Sequence, residues 1–89
     1  MTDETTISKF LKYLISLLID HPSELVIEEE ILSENSYRYL IKTNPEDTGK
    51  VIGKEGKIIQ SIRNVAKILA IKENKQIRIE IGEQPIVNS

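Results

Sequence analysis

Cysteine and tryptophan are absent from this 89-residue chain, and histidine occurs once, as His21. Without cysteine there is no disulfide, no thiolate nucleophile and no Cys-based metal site. Aromatic residues are limited to Phe10, Tyr13, Tyr37 and Tyr39, so the core has to be aliphatic, mostly isoleucine and leucine. Long apolar runs are missing as well. The longest, FLKYLISLLI (10–19), is interrupted by Lys12 and Ser16 and is too short to cross a bilayer, so membrane insertion is not expected. A signal peptide needs a basic start, and this chain opens with Asp3 and Glu4, so a cytoplasmic location is expected. His21 has no companion ligands or catalytic partners in the sequence, and no nucleophile, base and oxyanion donors assemble. Neither a metal, a cofactor nor an enzymatic activity is expected.

What is present fits one folded domain. The chain is 39% hydrophobic and 29% charged, values of a globular protein and not of a disordered one. A chain this short buries about 60–65% of its unfolded surface, which leaves one thin core. The net charge of −2 hides an asymmetry. Residues 1–41 carry three basic and eight acidic side chains, a net of −5, while residues 42–75 carry eight basic and four acidic, a net of +4. That positive segment suits a polyanion partner or a solvated helix face, and charge alone does not choose between them.

Between Thr5 and Ile19 the apolar positions are Ile7, Phe10, Leu11, Leu14, Ile15, Leu17 and Leu18, and steps of three and four put most of them on one stripe, which predicts an amphipathic helix. Asp3, Thr5 and Thr6 are candidate caps, and Asp20-His21-Pro22 ends the helix, with His21 placed to meet the last carbonyls. ELVIEEEIL (24–32) and YRYLIKT (37–43) read as two strands of an antiparallel hairpin. Glu28, Glu29 and Glu30 put the first at a solvated edge. Tyr37 and Tyr39 share a face with Ile41, which favours core over base stacking. NPED (44–47) reads as a helix start, with Asn44 as cap, Pro45 in the first turn, and Glu46 and Asp47 at the positive dipole end. A longer helix follows Gly56, with Ile58, Ile59, Ile62, Val65, Ala66 and Leu69 inward and Lys57, Gln60, Arg63, Asn64 and Lys67 outward. KENK (72–75) closes it, and IRIEI (77–81) is a third strand before a polar tail, residues 82–89.

The two glycines of VIGKEGKII (51–59) are the most specific local signal. A Walker A loop needs four residues between its glycines and a hydroxyl after the lysine. Here six residues separate Gly49 from Gly56, and Ile58 follows Lys57. A dinucleotide fingerprint fails because a helix, not a strand, precedes the glycines. The remaining pattern, Ile-Gly-x-x-Gly-x-x-Ile between two helices, resembles the signature of the KH domain, whose Gly-x-x-Gly loop clamps the backbone of about four nucleotides. The element order also resembles the type II KH arrangement, α-β-β-α-α-β. DHPSEL (20–25) and NPEDTGKVIGKEGKIIQSIRNVAKILA (44–70) are similar to the small bacterial single-KH proteins of the KhpA (YlqC) family. The resemblance implies an α+β fold, a three-stranded sheet with three helices on one face. It covers a single KH domain over 1–89, with its core at about 6–81.

On that resemblance the RNA-binding residues are Gly53, Lys54, Glu55, Gly56 and Lys57, with Lys50 adding charge and Ile52 and Ile58 touching bases. The local chemistry agrees. Glycines let a phosphodiester approach the backbone, and the start of a helix offers N–H groups and a favourable dipole. Glu55 opposes a phosphate, at a screened cost of about 0.5–1 kcal/mol, which Lys54 and Lys57 offset. The partners implied are single-stranded RNA and a second copy, or a KH-containing protein of the Jag/KhpB kind, in RNA regulation tied to cell-envelope growth. A protein-interaction and dimerisation module, with RNA contact secondary, is the alternative; the acidic net charge and Glu55 favour it.

Overall fold

A computed structural model describes residues 5–83, and the candidate cap Asp3 and the tail 84–89 lie outside them. The first helix, α1 (Thr6–Ser16), is capped by Thr5, whose Oγ1 accepts the Ser8 N–H at 3.1 Å. Its buried stripe is Ile7, Leu11 and Ile15, one residue per turn. The helix ends before Ile19, the limit that the apolar spacing suggests. Ser16 Oγ donates to the Tyr13 carbonyl at 2.8 Å, and tighter i to i+3 bonds from Leu17 and Leu18 close the last turn. His21 does not cap α1. It precedes a single 3-10 turn, Pro22–Glu24, and its ring lies 3.7 Å from both Glu24 and Glu46. That turn takes Glu24 out of the expected strand, so β1 runs Val26–Ser33.

A tight turn joins β1 to β2 (Ser36–Thr43), antiparallel as expected, with Ile27 opposite Ile41 and Glu29 opposite Tyr39. The third strand, β3 (Gln76–Glu83), lies parallel to β2 on its other side, so the order β1-β2-β3 makes a mixed sheet with β1 at an edge. A parallel pair needs a crossover, and residues 44–75, which hold the other two helices, supply it.

The two sheet faces differ because side chains alternate along a strand. Tyr39, Ile41 and Ile79 are buried on the inner face with Ile7, Leu11, Ile15, Val51, Ile59, Ile62 and Ala66. All three helices therefore contribute to one core on one face. Charged residues dominate the outer face. Lys42 pairs with Glu28 at 3.1 Å, and Arg38 meets Glu80 at 3.1 Å. Arg38 Nε also lies 3.0 Å from Glu30, an ion pair whose N–H is not aligned for a hydrogen bond. Glu28 and Glu30 thus lie on the solvated edge that the sequence suggests, Glu29 on the same strand meets Thr5 on the helix side, and Tyr39, with no accessible surface, is core. The face of the Tyr37 ring is engaged by Lys75 Nζ, 4.9 Å from its centroid. Tyr39 Oη also sits 3.0 Å from Thr5 Oγ1, which donates to Glu29 at 2.9 Å, tying the start of α1 to the sheet.

Candidate nucleic-acid interface

NPED is a turn and not the first turn of a helix. Asn44 Oδ1 accepts the Glu46 N–H at 2.8 Å and its carbonyl accepts the Asp47 N–H at 2.8 Å, with Pro45 at the position such turns favour. Helix α2 (Thr48–Ile52) is therefore only five residues long, and Asp47 stands at its N-cap without capping it. The Asp47 carboxylate reaches instead to the link after α1, accepting the Asp20 N–H at 3.1 Å and the His21 N–H at 2.9 Å. Burial alone would raise this carboxyl's pKa. The two amides, with the nearby charges of His21 and Lys50, outweigh burial and hold it below the usual carboxylate value.

From α2 the chain enters the glycine loop. Gly53 has φ +77° and ψ 173°, a region nearly exclusive to glycine, and its N–H donates to the Gly49 carbonyl at 2.8 Å. A Cβ here would lie 2.5 Å from Ile58 Cγ1 and 2.7 Å from Ile58 Cβ, so glycine is required on two grounds. Glu55 and Gly56 are both left-handed, with φ of 57° and 72°, and a Cβ added at Gly56 would meet nothing within 4 Å. The loop, a 3-10 turn over Lys54–Gly56, opens directly into α3 (Lys57–Lys72), and no side chain caps that helix. At this junction the Gly56 N–H donates to the Gly53 carbonyl at 3.1 Å and the Lys57 N–H to the Lys54 carbonyl, while the side chains of Lys54 and Lys57, beside the positive dipole end, are exposed. Among the described residues neither lysine has an ion pair.

The expected site residues do not all gather at this point. Gly53, Lys54, Glu55 and Gly56 run continuously into Lys57 at the start of α3, with Lys54, Glu55 and Lys57 exposed and the two glycines half-buried. Lys50 is committed elsewhere: its ammonium bonds the Asp20 carboxylate and lies 3.6 Å from Asp47 Oδ1. Asp20 is the main reason its pKa stands above the ordinary lysine value. Ile52 and Ile58 are half-buried against the core.

Helix α3 divides the surface beyond the loop into two grooves of opposite chemistry. Toward β3 lies a cleft of about 190 Å³ lined by Gln60, Arg63, Asn64, Lys67, Ile77 and Ile79. There Arg63 Nε donates to the Ile79 carbonyl at 3.2 Å, and Gln60 donates to Asn64 at 3.1 Å. Toward α1 lies an apolar groove of about 340 Å³, lined by Leu14, Leu18, Ile58, Ile62 and Val65 with Lys57 at its rim. Val65, expected inside, is 44% exposed there. Sequence reasoning places Gln60, Arg63, Asn64 and Lys67 on the outer face of α3 but does not show that β3 turns that face into a cleft. The i, i+3, i+4, i+7 spacing of these four polar residues is the available signal.

A family model described as "KhpA/KhpB, KH domain" matches residues 8–81, a span that includes both grooves and the loop. The chain belongs to this KH-domain family. Among curated members, the protein named "RNA-binding protein KhpA" of Clostridium perfringens is 48% identical over 64 residues, covering 72% of this chain and 84% of its own. Its namesake in Clostridium acetobutylicum is 42% identical over 73 residues, 82% of this chain and 96% of its own. A more distant KhpA, from Chlamydia muridarum, is 34% identical over 76 residues, 85% and 96% of the two chains. The KhpA-family resemblance read from DHPSEL and the glycine loop is thus met across nearly the whole described fold, and the α-β-β-α-α-β order expected from it is the order observed.

Proposed function

We propose that this chain binds single-stranded RNA without catalysing a reaction, clamping the sugar–phosphate backbone at the loop Gly53–Gly56. The observation that carries the reading is the loop itself: two positive-φ glycines lead into a sixteen-residue helix with no side-chain cap. A phosphate there can approach a backbone without β-carbons at Gly53 and Gly56 and meets a helix dipole, with Lys54 and Lys57 supplying charge. The names of the KhpA relatives support the same ligand. Bases extend from the loop past Ile52 and Ile58, and the amides of Gln60 and Asn64 in the α3–β3 cleft suit base edges. Lys50 contributes less than the loop lysines because two carboxylates already neutralise it. Glu55 lowers the affinity without abolishing it. The role is that of a post-transcriptional regulator or RNA chaperone in the cytoplasm, with little intrinsic sequence specificity because one module covers few bases.

With two to four phosphate contacts, the log–log salt slope of binding is expected at about −1.5 to −3. Replacing Lys54 and Glu55 together by Asp adds repulsion without touching the core. An RNA titration of this double variant at several salt concentrations should show lost affinity and a shallower slope. Unchanged affinity and slope in a folded double variant would sink the loop reading.

A second reading rests on the apolar groove between α1 and α3, together with the exposed Leu17 at the end of α1 and Ile68 on α3. It makes the chain a dimerisation module that pairs with itself or with a second KH protein of the KhpB kind. Pairing two weak RNA-binding copies raises overall affinity through effective concentration, so the two readings cooperate. Light scattering over a wide concentration range tests self-pairing, and a strict monomer throughout counts against the homodimer.

A further inference from the structure

A five-residue helix is far too short to hold its own shape, so the direction of α2 has to be imposed from outside. Its C-terminal end is tied to the core by buried Val51, and Gly53 packs against Ile58. Its N-terminal end is tied differently. Asp47 occupies the N-cap, where an aspartate ordinarily accepts an N–H of its own helix. Here the carboxylate has no accessible surface and accepts two amides of another segment, those of Asp20 and His21. One turn on, Lys50 reaches back to Asp20 and lies 3.6 Å from Asp47. The start of α2 and the link after α1 are thus joined twice, once by a carboxylate on two amides and once by an ammonium on a carboxylate. The His21 ring, 3.7 Å from both Glu24 and Glu46, completes the polar groups around this bracket.

We infer that Asp47 is a positioning residue for the glycine loop, fixing the direction in which α2 delivers Gly53 to the start of α3. The Gly53 N–H bonds the Gly49 carbonyl, one residue into α2. A tilt at the Asp47 end therefore moves the loop backbone as a unit. The isosteric change Asp47→Asn separates this role from plain stabilisation. One acceptor oxygen remains, while an NH2 group now faces an amide donor.

The effect on affinity rests on the RNA-binding reading, whereas the effect on loop geometry does not. In the full chain, at a temperature where both proteins are folded, the amide resonances of Gly53 and Gly56 should move in Asp47→Asn without any RNA. Affinity for a single-stranded RNA oligonucleotide should fall by about twofold to thirtyfold, the range over which remote residues modulate coupling. A control, Ile7→Val, trims the core at the end of α1 opposite the bracket; it should lower the melting temperature and leave both readouts unchanged. Asp47→Asn with unmoved loop amides and only a lower melting temperature overturns the inference. Should that variant fail to fold, hydrogen exchange on the unaltered protein decides. The amides of Asp20, His21 and Gly53 should open together with one denaturant dependence, and independent opening of Gly53 overturns the inference. An unaltered protein that binds no RNA refutes the proposed function alone, because the glycine resonances still report on Asp47.

Discussion

Alanine at Gly53 and at Gly56 should have very different costs, although both positions carry a glycine of the same motif and a positive φ. At Gly56 the backbone is left-handed and the space for a methyl group is open, so only backbone strain applies, about 1–2 kcal/mol. At Gly53 the combination of φ +77° and ψ 173° belongs to glycine almost alone, which costs roughly 1–3 kcal/mol for any other residue. The new Cβ also lies 2.5 Å from Ile58 Cγ1 and 2.7 Å from Ile58 Cβ. A β-carbon cannot swing away as a side-chain tip does, so overpacking adds about another 1–3 kcal/mol. The expected totals are about 1–2 kcal/mol for Gly56→Ala and about 2–6 kcal/mol for Gly53→Ala. The whole stability of a domain this size is about 4–13 kcal/mol, so the larger change comes near to unfolding it. Urea unfolding of the two variants beside the parent gives both values, provided the m-value is unchanged. Adding Ile58→Ala to Gly53→Ala removes the two γ- and δ-carbon clashes and should recover part of the loss, leaving the β-carbon contact and the strain. Equal costs at the two glycines, or no coupling between Gly53→Ala and Ile58→Ala, would refute the steric argument.

Burial raises the Tyr39 phenol to about 12, and its hydroxyl is held by Thr5 beside the Glu29 carboxylate. A folded-state pKa above the unfolded value of 10 means that stability is intact below pH 10 and falls as pH rises toward 12. Denaturant melts across that interval should show this loss in the parent and a smaller one in Tyr39→Phe. Glu55→Gln keeps the left-handed backbone and removes only charge, so RNA affinity should rise about two- to fivefold at low salt and converge with the parent as salt increases. An unchanged or lower affinity in a low-salt titration would remove Glu55 from the interface. Asp47 carries a depressed pKa, so its contribution to stability is present above the unfolded carboxylate range and is lost as pH falls through the folded pKa. Thermal melts of the parent and Asp47→Asn should therefore differ at neutral pH and converge in acid; a gap independent of pH would count against an ionised Asp47.

Periodicity makes the sheet and the long helices legible. Tyr37, Tyr39 and Ile41 alternate as a strand with one buried face must, and Ile59, Ile62 and Ala66 repeat as an inward helix face must. The element order around Gly53 and Gly56 turns a four-residue pattern into a family. What stays hidden depends on partners distant in the chain. Asp47 looks like a helix-start residue because its sequence neighbours are Asn44 and Pro45, yet its acceptors serve amides 26 and 27 residues away. Lys50 looks like one of several loop cations until Asp20 is brought against it. Val65 has the spacing of a core residue, but α1 passes far enough from it to leave a groove. Local pattern states which side of an element is apolar; it does not state how closely the next element approaches.

The parallel pairing of β2 with β3 has a kinetic consequence. Antiparallel β1 and β2 meet across a tight turn, but β3 reaches β2 only after α2, the glycine loop and α3 have been threaded between them. Contacts so far apart along the chain carry a loop-closure cost and form late. During synthesis the hairpin and α1 can gather early, while α3, which packs against β3, is held only when the final strand docks, and the loop at its start is expected to settle with it. A nascent chain stalled before Gln76 should therefore leave the Gly53 amide open to hydrogen exchange, and protection of that amide in such a chain would show that the site matures without its last strand.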